Sequence, residues 1–167
     1  MSEHYLVTVE GYRKLLCEHE RLKKELDEIQ FQMGREASID NDLRENPMYM
    51  ELRRRAEYTL PKKLAEIEHA LASCQVISND ELAKIDTSIV RFGTRVTIAD
   101  EDGKISSYEI VGYGESDPNL GRISYLAPFA RKLLGKKVGD TVLAGSREAE
   151  REVEIISINR LIESITE

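Results

Sequence analysis

One stretch in the first half of the chain, Ser38-Ile39-Asp40-Asn41-Asp42-Leu43-Arg44-Glu45-Asn46-Pro47-Met48-Tyr49, carries three carboxylates within the six residues from Asp40 to Glu45. Carboxylate oxygens are hard donors that suit Mg²⁺, an ion usually held by one or two acids while water and phosphate oxygens complete its octahedron. Residues three apart on a helix share a face, so Asp42 and Glu45 can direct their oxygens at one point, with Asp40 or Asn41 nearby. Two acids do not close a site alone. They suit the completion of an ion already half-held by another molecule. The same spacing also has a purely structural reading, because Asp42 followed three residues later by Glu45 is the pattern of a capping box at the start of a helix, where negative charge is favoured anyway.

Other chemistry finds less support. Cys17 and Cys74 lack the paired short spacing of a structural zinc site and are too few for a disulfide scaffold, so both read as reduced thiols. His4, His19 and His69 are scattered singly. No Ser/His/Asp hydrolase or nuclease constellation is visible. A net charge of −7 over 167 residues argues against a protein that grips duplex nucleic acid by neutralising phosphates along a basic face, so any nucleic-acid contact is expected to be local. A cut after Ser78 leaves 12 basic and 15 acidic residues before it and 12 and 16 after it, so neither half is a charged tail. The start, Met1 to Val9, does not read as a secretion signal, and no window is long and apolar enough to cross a bilayer. A cytoplasmic protein without a membrane partner is expected.

The elements that must position the acids are helices. Leu15, His19, Leu22, Leu26, Ile29 and Met33 step alternately by four and three, the seam of a coiled coil, and predict a helix over Val9 to Ala37. A second series, Tyr49, Leu52, Ala56, Leu60, Leu64, Ile67, Leu71 and Cys74, predicts a partner. One antiparallel register pairs Leu15 with Cys74, Leu22 with Ile67, Ile29 with Leu60 and Met33 with Ala56, and places the reversal between Ser38 and Asn46. At 1.5 Å per residue the acids would stand roughly 40 Å from the base of such a hairpin. Pro61, inside the second helix, predicts a kink over Glu57 to Pro61. A hairpin of this kind can also serve as an adaptor coil whose seam only packs.

Beyond Ser78 the pattern alternates, and short strands are expected at Ile89–Phe92, Arg95–Ile98, Tyr108–Val111, Ile123–Tyr125, Thr141–Leu143 and Val153–Ile158. Asp100-Glu101-Asp102-Gly103 reads as a turn, and Pro128 opens a short helix that Gly135 closes. The fold class is α+β, with a hairpin over 1–78 and a small β-rich domain over 79–167. Gly112-Tyr113-Gly114 is not a phosphate loop, since neither a helix pattern nor a lysine follows it.

The run Asp42-Leu43-Arg44-Glu45-Asn46 followed by Tyr49, at the end of a hairpin, resembles the tip of the bacterial Gre transcript-cleavage factors, GreA and GreB. The similarity continues in order through Gln75-Val76-Ile77, Phe92-Gly93-Thr94, Ile110-Val111-Gly112, Ile123-Ser124, Pro128 to Lys136 and Val138-Gly139-Asp140. It spans about Tyr5 to Ile158. This resemblance implies a coiled coil that enters the secondary channel of RNA polymerase and stimulates the polymerase's own cleavage of backtracked RNA. The factor would act as a monomer and not as an enzyme, near the nascent RNA 3′ end. By position, Asp42 and Glu45 would direct a catalytic Mg²⁺ shared with the polymerase and held only weakly by the isolated chain. Asp40, Asn41, Asn46 and Tyr49 would support the tip, and Arg44 and Arg53 would touch RNA or polymerase. Arg53-Arg54-Arg55 reads equally well as a solvated helix face. The resemblance further implies an FKBP-like second domain that docks on polymerase through Pro128, Phe129, Ala130, Arg131, Lys132 and Leu133.

Departures are visible too. Asp40-Asn41 and Pro47-Met48 replace the His-Gly and Ala-Glu usual on either side of the tip, and Ala127 replaces a serine. The family includes anti-cleavage relatives with altered tips, so an inhibitor is an alternative; retention of Asp42, Glu45 and Asn46 favours cleavage. A prolyl isomerase is a rival from another class, although the chain has no Trp and only three Phe with which to line a prolyl pocket.

Overall fold

The computed structural model describes residues 4–39, 42–145 and 151–161. Two compact units are present: one is Arg13–Ser73, and the other joins the described residues before Arg13 to those from Cys74 onward.

Strand β1 (Tyr5–Thr8) runs directly into α1 (Val9–Ile39), a 31-residue helix about 46 Å long at 1.5 Å per residue. Leu, Glu, Lys and Arg, all good helix formers, dominate it. The chain returns as α2 (Pro47–Arg54), a π turn (Arg55–Thr59) and α3 (Leu60–Ser73). Leu22 and Ile29 from one arm and Leu52 and Leu60 from the other form the buried seam, with Leu26, Met33, Ala56, Leu64 and Ile67 packed around it. The expected antiparallel hairpin is therefore the architecture of this unit.

Pro61 is accommodated by the π turn. Proline has no N–H to give to the carbonyl of Glu57, and its ring crowds that carbonyl. The helix widens instead, so that the Leu60 N–H bonds to the Arg55 carbonyl five residues back. The apolar row demands the same solution. Leu52, Ala56, Leu60 and Leu64 lie four apart, and each such step overshoots an α-helical turn by about 40°. One residue absorbed by a wider turn keeps the row on a single face.

The single register expected from the sequence does not hold along the whole seam. It would set Glu25 opposite Leu64 and Glu36 opposite Arg53, whereas Glu25 pairs with Arg55 and Glu36 accepts a hydrogen bond from Asn46 at 3.2 Å. Cys74 is not a seam residue, because α3 ends at Ser73 and Cys74 opens β2 (Cys74–Ile77), where it pairs with Tyr5 of β1 in a two-stranded parallel sheet.

The second unit continues with α4 (Asn79–Ala83), β3 (Thr94–Asp100), β4 (Ile105–Val111), β5 (Arg122–Ser124), α5 (Pro128–Leu133), β6 (Thr141–Ala144) and β7 (Arg151–Arg160). The sheet order is β5-β4-β3-β7-β6, antiparallel except for the parallel β4–β5 pair. At the β3–β4 turn the Gly103 N–H bonds to the Asp100 carbonyl at 2.9 Å, and Gly103 takes φ +76, a conformation that only glycine adopts cheaply. Asp100 Oδ1 accepts two further backbone N–H groups, from Asp102 and Lys104. Val96, Ile98, Ile110, Val153, Ile155 and Ile158 form the sheet side of the core, closed by Ala130 and Leu133 of α5.

The strand expected at Ile89–Phe92 is absent. Val90 is buried there, but it exchanges only two backbone bonds, with Gly135 and Lys136 at 2.8 Å each, so it is pinned by the loop after α5 and joins no ladder. Strands β1 and β2 and helix α4 have no counterpart in the sequence reading. Ser78 and Glu81 form a true capping box ahead of α4.

Candidate functional site

The acids sit where α1 has ended and α2 has not begun. Asp40 and Asn41 lie outside the described residues. From Asp42 the backbone makes a turn: the Glu45 N–H bonds to the Asp42 carbonyl at 3.2 Å, and Asp42 Oδ1 accepts the Arg44 N–H at 3.3 Å. Asp42 and Glu45 are therefore brought together by a turn and not by the face of a helix. Both are exposed, as is Arg44, while Leu43 is half-buried.

The capping box expected of Asp42 and Glu45 does not form, because the cap is Asn46. Its backbone is extended (φ −82, ψ 105) and its side-chain Oδ1 accepts the Tyr49 N–H at 3.0 Å. Pro47 decides this. Proline is well suited to the first helical position, where no N–H is needed, and it forces the preceding residue out of the helical region. With Asn46 satisfying the helix end, neither acid is required for capping.

Asn46 has a second partner. Its Nδ2 donates to Glu36 Oε2 on α1 at 3.2 Å, so one amide spans the two arms just behind the acids. Glu36 was not singled out from the sequence, although the signal was present: continuing the four-three seam beyond Met33 lands on residue 36. Tyr49 is half-buried beside this contact.

The arginines are engaged on the helix surface. Arg53 Nε donates to Glu57 at 2.8 Å, and that hydrogen bond holds its guanidinium pKa above the ordinary value. Arg54 pairs with Glu51 at 2.8 Å and draws that carboxyl below its usual range. Arg55 pairs with Glu25 across the hairpin.

In the sheet unit, α5 divides the segment expected to dock. Ala130 and Leu133 are fully buried against the sheet, and Phe129 packs edge-on to Tyr108 with ring centroids 5.3 Å apart. Pro128, Arg131 and Lys132 face outward, and Lys132 Nζ donates to the Leu143 carbonyl at 3.0 Å. Two clusters in this unit escaped the sequence reading. Glu109, nearly buried, bridges Arg95 (2.6 Å) and Arg122 (2.8 Å). Glu115 accepts from the Thr8 N–H (3.1 Å), the Thr8 hydroxyl and the Gly112 N–H (2.9 Å), tying β1 to the turn after β4. The Tyr113 ring lies 4.5 Å from that of Tyr5 across the same junction.

Among the described residues no group of three or more His, Cys, Asp or Glu is arranged to hold a metal ion, and no helix is long and apolar enough to cross a membrane. Asp42 and Glu45, exposed in one turn, offer a displayed pair of hard oxygen donors. The described residues thus form a helical hairpin with two acids exposed in its connecting turn, and an α+β sheet unit.

The comparisons with known proteins specify the class. Residues 5–76 match the family described as transcription elongation factor, N-terminal, and residues 85–160 match transcription elongation factor, GreA/GreB, C-term. The chain belongs to the GreA/GreB family of transcription elongation factors. It is 37% identical over 153 residues to transcription elongation factor GreA of Solidesulfovibrio magneticus, covering 91% of this chain and 90% of that one. It is 38% identical to GreA of Nitratidesulfovibrio vulgaris, covering 91% and 92%. Among solved structures, GreA factor homolog 1 of Thermus thermophilus aligns over 94% of this chain and 99% of that one, at 20% identity and a TM-score of 0.42.

Proposed function

We propose that this elongation factor inserts its hairpin into the secondary channel of RNA polymerase and stimulates cleavage of backtracked nascent RNA, with Asp42 and Glu45 reaching the polymerase centre. The observation that carries the reading is the display of both acids in one exposed turn: Asn46 and not either acid caps α2, and the turn holds Asp42 and Glu45 together. Their donor chemistry fits Mg²⁺, and two carboxylates are the usual protein share of such a site. A Mg²⁺ bound between factor and polymerase supplies stabilisation of the attacking and leaving oxygens in two-metal phosphodiester hydrolysis. The chain's own part is to bring two negative oxygens to that place and hold them at fixed separation. Arg44, exposed at the tip, is suited to a phosphate of the displaced RNA 3′ end. Arg53 serves by steadying α2 through Glu57. Pro128, Arg131 and Lys132 form the outward face through which α5 docks on the polymerase.

The test uses stalled, backtracked complexes at saturating factor. Asp42→Asn and Glu45→Gln are each expected to retain binding while lowering the rate of RNA shortening about 100-fold, the scale on which one electrostatic donor to a transition state acts. Wild-type cleavage by both variants would remove the metal role. Slowed elongation without shortened RNA would instead mark an inhibitor.

A further inference from the structure

We infer that Glu36 is a positioning residue for the tip, acting through Asn46. This inference rests on the reading of Asp42 and Glu45 as the working acids.

The seam of the hairpin ends in a polar layer. On α1 the four-three row runs Leu22, Leu26, Ile29, Met33 and then Glu36; on the returning arm it runs Leu64, Leu60, Ala56, Leu52, Tyr49 and then Asn46. Glu36 and Asn46 are both half-buried, whereas Arg35, Ala37 and Glu45 beside them in sequence are exposed. A charged group at a seam position sacrifices hydration and is favourable only with a partner. Here the partner is the Asn46 Nδ2 at 3.2 Å.

An asparagine amide has one accepting end and one donating end, and this one uses both. Oδ1 faces the Tyr49 N–H and caps α2, while Nδ2 faces the carboxylate on the opposite arm. A flipped amide would aim oxygen at Glu36 and N–H groups at the Tyr49 N–H, so each contact enforces the other. Pro47 fixes the Asn46 backbone from one side and Glu36 fixes its side chain from the other. The residue immediately preceding this clamped asparagine is Glu45, which closes the turn on Asp42. Glu36 therefore sets the base from which the two acids project, without being aimed at the reacting centre itself.

The experiment combines a polarity swap with two readouts on the full chain. In backtracked complexes, Glu36→Ala and Asn46→Asp should each lower the cleavage rate at saturating factor on the order of tenfold, as expected for misplacement of reacting groups. For Glu36→Ala the half-saturating concentration and the melting temperature should stay near wild type. Glu36→Gln retains an accepting oxygen and should cleave within about twofold of wild type, the loss expected when one neutral hydrogen bond replaces a charged one. The double variant Glu36→Gln with Asn46→Asp reverses donor and acceptor and should recover most of the rate lost by Asn46→Asp alone. In the free protein, NMR should show the Asn46 side-chain amide exchanging about fivefold faster in Glu36→Ala, the equivalent of losing one ordinary hydrogen bond.

Unchanged cleavage by Glu36→Ala would overturn the proposal, and so would equal losses for Glu36→Ala and Glu36→Gln, which would mean that the charge itself acts. An unaltered amide exchange rate would overturn it even if no variant cleaved. Asp42→Asn, run alongside, separates the cases: its inactivity beside a fully active Glu36→Ala removes only the clamp, whereas full activity of Asp42→Asn removes the role of the acids.

Discussion

Asn46 decides what its neighbours are free to do. An exposed acid near a helix start is usually read as a cap, and the Asp42–Glu45 spacing invites that reading. The proline at position 47 moves the helix start to a residue that can cap with a neutral amide, and the acids are left in the preceding turn. Glu109 has the opposite fate. Its carboxylate is almost enclosed and is divided between Arg95 and Arg122, whose guanidinium pKa the shared carboxylate raises in the case of Arg122. Removing the acid leaves two partly buried cations facing each other. Glu109→Ala should cost about 2 kcal/mol, the usual penalty for stranding buried polar partners, and Glu109→Gln less because one acceptor remains. Urea denaturation measures both, and an unmoved midpoint for the alanine variant would show the bridge to be energetically idle.

Among the elements, the returning arm holds the most informative irregularity. Its π turn uses one residue more than a straight helix would, which keeps Leu52 and Leu60 on the same face despite their spacing of eight. Tyr58 lies in that turn and is 71% exposed, so substitution there should matter little while deletion should matter a great deal. Tyr58→Ala is expected to change stability by less than about 0.5 kcal/mol, as surface changes do. Deleting residue 58 rotates everything from Pro47 to Glu57 by about 100° against the seam. Turning Leu52 alone out of the core would cost about 1.5 to 3 kcal/mol. Thermal unfolding compares the two, and equal melting temperatures would show that the arm re-registers freely.

At the scale of the whole molecule, legibility followed the range of the interaction. The hairpin, five of the six expected strands, the Gly103 turn and helix α5 were readable, because apolar periodicity and local turn chemistry are written in consecutive residues. Strands β1 and β2 were not: each has four residues, and their partners lie about seventy positions away, Tyr5 with Cys74. The expected strand at Ile89–Phe92 failed for the converse reason, since Val90 is apolar through burial and not through pairing. At the tip, the acids and Asn46 were legible, while the clamp from Glu36 needed the two arms to be brought together. The Glu115 junction was invisible for the same cause. A Cβ at Gly112 would come within 2.5 Å of the Leu6 carbonyl and 2.8 Å of Val7 Cα and would also crowd the Glu115 carboxylate. Gly112→Ala should therefore destabilise the sheet unit by about 3 kcal/mol, in the range for overpacking a tight site. Differential scanning calorimetry tests this, and a wild-type transition would mean that the junction yields at little expense.

The pairing of β1 with β2 has a consequence for ancestry and engineering. The hairpin unit runs from Arg13 to Ser73, and the strands before and after it are parallel hydrogen-bonded neighbours in which Cys74 lies beside Tyr5 and Ile77 beside Thr8. The hairpin is thus an excursion between two paired strands of the sheet unit. Lengthening or shortening it is expected to leave the β1–β2 pairing in place, because those pairs lie wholly within Tyr5–Thr8 and Cys74–Ile77.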